Sequence, residues 1–184
     1  MTSISADLHK YGYTFKGASA LLYRDRDLYR SQWWVYDGEW GAGLYGGPTT
    51  AGTRPAPPIA GAWAALRTLG EDGYLRLARQ VRDARDVVLA AVDRIDGLRL
   101  TVPPDLSVFE IGGDDLDLGA VADALADRGW FPDRQPGGLH LMLSPHHAAV
   151  AGDFVAALEA AVAEVRSGRA GGGAVAPYGS VVPS

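Results

Sequence analysis

The chain has 184 residues, of which 47% are hydrophobic and 21% charged, with a formal net charge of −5 and no cysteine. Such a chain can bury a sizeable core as one domain or one and a half, and the absence of thiols excludes a disulfide framework or a thiolate metal site. The acidic balance and the lack of any Lys/Arg run argue against a nucleic-acid partner, which calls for a clustered basic surface. No apolar run reaches a membrane span and no signal peptide is visible, so a cytoplasmic protein is expected.

In chain order, TSISADLHK alternates with β-compatible residues and predicts a strand ending near His9. GASALLYRD predicts a second strand, and YRSQWWVYD a short helix or bend followed by a third. From Gly38 to Pro58 the density of Gly, Pro and Thr argues against regular structure, while the aromatic content argues for an ordered loop. IAGAWAALRTLG reads as a helix stopped by Gly70. The clearest helix runs from Glu71 to Ile95, where Leu77, Val81, Ala84, Val88, Ala91, Val92 and Ile95 recur at helical spacing and Gly97 ends it.

LRLTV and LSVFEIGG then predict two strands, DLGAVADALADRG a helix, GLHLMLS a strand and VAGDFVAALEAAVAEVRSG a closing helix. That order describes a small α+β domain. The remainder, RAGGGAVAPYGSVVPS, has the composition of a flexible tail.

The residues that could carry chemistry start with Lys10, one of only two lysines, the other being Lys16. Its apolar and aromatic neighbourhood predicts a partly buried ammonium, and a buried amine loses its proton more readily and can attack a carbonyl to form a Schiff base. His9 and Lys10 point to opposite faces of a regular strand, so both reach one ligand only if the chain turns, which the glycine of KYGY permits. Lys16 offers a second positive charge for an anionic substrate, or a plain surface charge.

TAGTRPAPP offers backbone N–H groups, a hydroxyl and a guanidinium suited to phosphate, with Pro55 and Pro58 near a helix start that would add to anion binding; a rigid capping loop is the alternative. Adjacent His146 and His147 diverge and are not expected to hold a metal. Asp114, Asp115 and Asp117 lack the calcium-loop pattern and are expected to cap the following helix.

Three stretches, SISADLHKYGYTFKGASALLYRD, GGPTTAGTRP and AWAALRTLGEDGYLRLARQ, together resemble the sphingosine-1-phosphate lyases and their bacterial relatives within the group II pyridoxal-phosphate-dependent decarboxylases. The likeness weakens toward the carboxyl end, where APYGS is similar to the family's closing Tyr-Gly segment; Tyr178 and Gly179 are given no role. The resemblance implies an α/β chain, the carboxyl-terminal part of a fold-type-I pyridoxal-phosphate-dependent transferase-like fold. Residues 1–70 would be the end of the large domain with the Schiff-base lysine and an interface loop, residues 71–168 a small α+β domain, and residues 169–184 the flexible tail.

By the same resemblance the cofactor is pyridoxal 5'-phosphate and Lys10 the lysine that forms the internal aldimine. His9 would contact the cofactor phosphate or ring region, and Lys16 matches a second lysine implicated with substrate. Thr53, completed by Arg54 and Pro55, would reach the cofactor phosphate of a partner subunit in a homodimer. The implied activity is that of a partial lyase acting on a carbon–carbon or carboxyl bond of a small amine or amino acid, a phosphorylated sphingoid-like one included. The alternative is a non-catalytic remnant or accessory dimerising domain.

Only nine residues precede Lys10, leaving no position for the family's pyridine-nitrogen Asp, ring-stacking residue and phosphate loop, so turnover by these residues alone is not expected. Met1 stands where relatives often carry Val, and the expectation is a Val codon within a longer frame read as a start.

Overall fold

The computed structural model describes residues 1–38, 43–49 and 52–168. The chain separates into two compact units, Met1–Gly73 and Tyr74–Ser184.

The first unit is built from two small antiparallel ladders and the start of a helix. Strand β1 (Ser3–Asp7) pairs with β2 (Ser19–Tyr23), with Ser3 opposite Tyr23 and Asp7 opposite Ser19. A one-turn helix α1 (Arg26–Arg30) follows, its first turn capped by the Asp25 carboxylate, which accepts from Leu28 N at 2.9 Å. β3 (Trp34–Tyr36) pairs with β4 (Tyr45–Gly47), so part of the Gly- and Pro-dense stretch is a strand after all. Gly46 lies opposite Val35, where a Cβ would come within 3.1 Å of Trp34 O; here glycine permits close strand approach rather than breaking the strand.

Helix α2 (Ala56–Arg94) is interrupted at Gly70, whose φ of 58° and ψ of −176° are not helical, so the two helices read from the sequence are both present. The φ at Gly70 is one that L side chains rarely adopt.

The second unit carries the hydrophobic core. Its four-stranded antiparallel sheet has the order β5 (Leu98–Leu100), β6 (Val108–Gly113), β8 (Gly138–Met142), β7 (Asp133–Gln135). Alternation sorts the two central strands cleanly. Phe109 and Ile111 stand opposite Leu141 and Leu139 on the buried face, whereas Val108 and Glu110 stand opposite Met142 and His140 on the other.

Against the buried face lie Ala84, Val88 and Val92 of α2, Val121 and Leu125 of α3 (Leu118–Ala126), and Phe154, Leu158 and Val162 of α4 (Ala151–Arg166). Asp117 caps α3, accepting from Ala120 N at 3.0 Å, as expected of that acidic run; Asp114 instead pairs with Arg99 at 2.8 Å. Strand β7 and the 3₁₀ turn Pro145–Ala149 were not foreseen. Both are three to five residues long and polar, below what periodicity detects. Among the described residues no helix is long and apolar enough to cross a membrane.

Leu125 is fully buried in this core, and Leu125→Ala is expected to cost the second unit about 2–5 kcal/mol, measured as the shift in urea-unfolding midpoint followed by far-ultraviolet circular dichroism.

Candidate functional site

The strand predicted to reach His9 stops at Asp7, and the chain reverses there. Lys10 N donates to Asp7 O at 3.0 Å, Tyr13 N to Lys10 O at 3.1 Å and Thr14 N to Leu8 O at 3.3 Å. Gly12 makes the reversal possible, because a Cβ there would sit 2.3 Å from Leu8 O. Tyr13 completes it in the left-handed region, with a φ of 53°.

The reversal brings His9 and Lys10 to one carboxylate. Lys10 Nζ lies 3.1 Å from Asp7 Oδ2 and His9 Nε2 lies 3.8 Å from the same oxygen. The other oxygen, Asp7 Oδ1, accepts from the Ser19 hydroxyl at 2.5 Å, across the β1–β2 ladder where the two residues are register partners. Those two interactions, Ser19 first and Lys10 second, hold the Asp7 carboxyl below the usual aspartate range.

The environment of Lys10 differs from the sequence expectation. Its side chain is 66% exposed and ion-paired, so the partly buried ammonium inferred from its aromatic neighbours is not found. The neighbours are apolar, but the turn projects the lysine away from them. His9 is the more enclosed of the two, 22% exposed, and its Nδ1 is buried with no hydrogen-bond partner among the described residues.

Lys16 is exposed, with no ion-pair partner among the described residues. Its neighbours fix its place: a Cβ on Gly17 would meet Pro58 Cγ at 2.8 Å, and Phe15 packs where a Cβ on Gly61 would project. Lys16 is thereby held beside the first turn of α2.

The loop before that helix carries Thr53 and Arg54. Thr53 is exposed, and no hydrogen bond joins it or Arg54 to His9 or Lys10 among the described residues. The Arg54 guanidinium donates within its own loop, to Gly52 O at 3.1 Å and to Thr49 Oγ1 at 2.6 Å, which leaves three of its five N–H donors for other partners.

The helix start is also a weaker anion site than expected. Pro57 and Pro58 occupy two of its first four positions and carry no N–H. In the second unit His147 is occupied structurally, its Nδ1 accepting from Ser144 N at 2.9 Å. Among the described residues no group of three or more His, Cys, Asp or Glu could hold a metal. Tyr178 and Gly179 lie outside the described residues.

Asp7 and Ser19 are the neighbours of Lys10 that sequence reasoning gave no role. Asp7 stands inside the quoted motif without a partner until the turn is known, and Ser19 becomes its partner only through strand register.

Comparison with known proteins gives this geometry a context. No family model matches the chain. It is 37% identical to the sphingosine-1-phosphate lyase of Arabidopsis thaliana over 184 residues, 98% of this chain and 34% of that protein. The chain is a sphingosine-1-phosphate lyase homologue. It is also 33% identical to the lyase of Saccharomyces cerevisiae over 170 residues, 91% of this chain and 29% of that one.

Among solved structures, the sphingosine-1-phosphate lyase of Burkholderia pseudomallei superposes with a TM-score of 0.82 at 37% identity, covering 91% of this chain and 38% of that one. The glutamate decarboxylase of Lactobacillus brevis shares the fold, with a TM-score of 0.68 at 18% identity, covering 90% and 41%. The chain thus matches part of the fold-type-I pyridoxal-phosphate architecture, as the resemblance implied, and members of the family use that cofactor. It spans about a third of the length of the curated relatives it matches, corresponding to their carboxyl-terminal portion.

The low-lying Asp7 carboxyl is directly measurable. In a carboxyl-resolved NMR titration Asp7 is expected to titrate below the usual aspartate range, and Ser19→Ala to move it upward. With the native value below that of the unfolded chain, Asp7's stabilisation is fully present above the unfolded-chain value and is lost as pH falls through the native one.

Proposed function

We propose that these residues contribute the lysine-bearing part of a pyridoxal-phosphate site in a lyase of the sphingosine-1-phosphate type. The observation that carries the reading is the turn after Asp7. It places an accessible primary amine and a partly enclosed imidazole at one carboxylate, within a chain 37% identical to a sphingosine-1-phosphate lyase. Both groups fit an aldehyde cofactor bearing an anionic group, one as nucleophile and the other as hydrogen-bonding partner.

Bound there, pyridoxal phosphate would supply a carbonyl for the amine and a ring that accepts electrons. Lys10 would anchor it through Nζ, and His9 would hydrogen-bond its phosphate or ring region. Thr53, whose hydroxyl has no hydrogen bond among the described residues, would bind the phosphate from across a dimer interface. Arg54 would keep that loop in shape through Thr49 and Gly52 rather than touch the phosphate.

Lys16, exposed and unpaired beside the α2 start, would meet the negative charge of a phosphorylated amine substrate. The bond broken would be carbon–carbon, with aldehyde release. The remaining contacts that turnover needs would come from the share of the relatives' length that this chain does not span, about two-thirds.

The test is covalent capture. Incubation of the full chain with pyridoxal phosphate, borohydride reduction and peptide mass spectrometry should place the adduct on Lys10, with Lys10→Ala abolishing it. Labelling that is absent, or shared equally between Lys10 and Lys16, would sink the reading.

A further inference from the structure

We infer that Asp7 is the positioning residue of Lys10: a fixed carboxylate, clamped by Ser19, that holds the lysine side chain at the mouth of the turn. The inference rests on the assignment of Lys10 above and gives a role to two residues outside the assigned site.

The geometry is that of a built clamp. Asp7 uses three groups in the same few residues. Its carbonyl closes the turn by accepting from Lys10 N at 3.0 Å, Oδ2 faces Lys10 Nζ at 3.1 Å, and Oδ1 is taken by Ser19 at 2.5 Å. Backbone and side chain of the lysine are therefore tied to one residue. Ser19 stands directly opposite in the antiparallel ladder, so Asp7's rotamer is set by β-sheet pairing rather than by the lysine itself.

Charged groups facing Asp7 are His9 and Lys10 from the turn, and from β2 the contact is the neutral Ser19 hydroxyl. A carboxyl that keeps its charge into acid conditions is a poor proton carrier and a dependable anion. Its work is therefore to orient and hold, and to leave a defined partner behind when Nζ is consumed. His9, 3.8 Å from the same Oδ2, is placed to take over that oxygen once the ammonium has gone.

The chain supplies an internal reference, because both its lysines are exposed but Lys10 is clamped and Lys16 has no ion-pair partner among the described residues. Limited acetylation of the full chain with a water-soluble N-hydroxysuccinimide ester, quantified by peptide mass spectrometry, gives a Lys10:Lys16 rate ratio. Native protein is expected to label Lys10 about threefold more slowly than Lys16, the scale of an exposed ion pair, with the ratio near unity in urea. Asp7→Asn is expected to remove the protection, Asp7→Glu to retain part of it, and Ser19→Ala to fall between.

Should Asp7→Asn unfold the turn, Ser19→Ala decides, since it leaves the carboxylate and the backbone ladder in place. A native ratio of unity, or a ratio that Ser19→Ala and a folded Asp7→Asn leave unchanged, overturns the clamp. The acetylating reagent needs no cofactor, so the two readings fail separately. Protection lost in Asp7→Asn without pyridoxal phosphate capture at Lys10 would sink the cofactor assignment alone, whereas capture without protection would sink the clamp alone.

Discussion

The reversal of the chain between Asp7 and Thr14 is the constraint from which the candidate site follows. A straight continuation of β1 would send the His9 and Lys10 side chains to opposite faces, and no single group could meet both. The reversal needs a residue without a side chain where the backbone passes Leu8, and Gly12 supplies it. It also needs the strand to end in a residue able to accept at its carbonyl and at its side chain, and Asp7 does both. The pairing of β1 with β2 fixes where that residue stands. Site and ladder are thus one piece of structure.

The two units solve the burial problem differently. The second sorts its apolar residues onto one face of a sheet and one stripe of each helix, and a single cluster from Ala84 to Val162 results. The first leaves its apolar residues largely in solvent. Ile4 and Leu22, opposite each other in the ladder, are 48% and 54% exposed, and Trp63 and Val35 are more so. Two-stranded ladders of this kind are marginal without further strands or a packed face. Lys10 sits on the less consolidated unit, whereas the well-packed one carries none of the residues proposed for the site.

What could be read from the sequence follows from the same physics. The helix through Val81, Ala84, Val88 and Val92 was legible because its apolar period is regular and long, and the break at Gly70 because glycine tolerates the φ found there. The motif around Lys10 was legible as a family resemblance, but the exposure of its ammonium was not: that depends on the turn after Asp7, which composition does not encode. The loop contacts of Arg54 were not legible either, since a guanidinium in a Gly- and Thr-rich loop suits phosphate and suits its own carbonyls equally well. Strand β7 and the Asp7–Ser19 contact required register, a property of two segments together.

The exposed apolar residues of the first unit bear on how the molecule should melt. The heat-capacity increase of unfolding comes from apolar surface newly wetted, ordinarily about 12–15 cal/mol/K for each residue. Side chains already half wet in the native state add only the half that is still covered. The residues up to Gly73 will therefore contribute less per residue to that increase than the unit that begins at Tyr74.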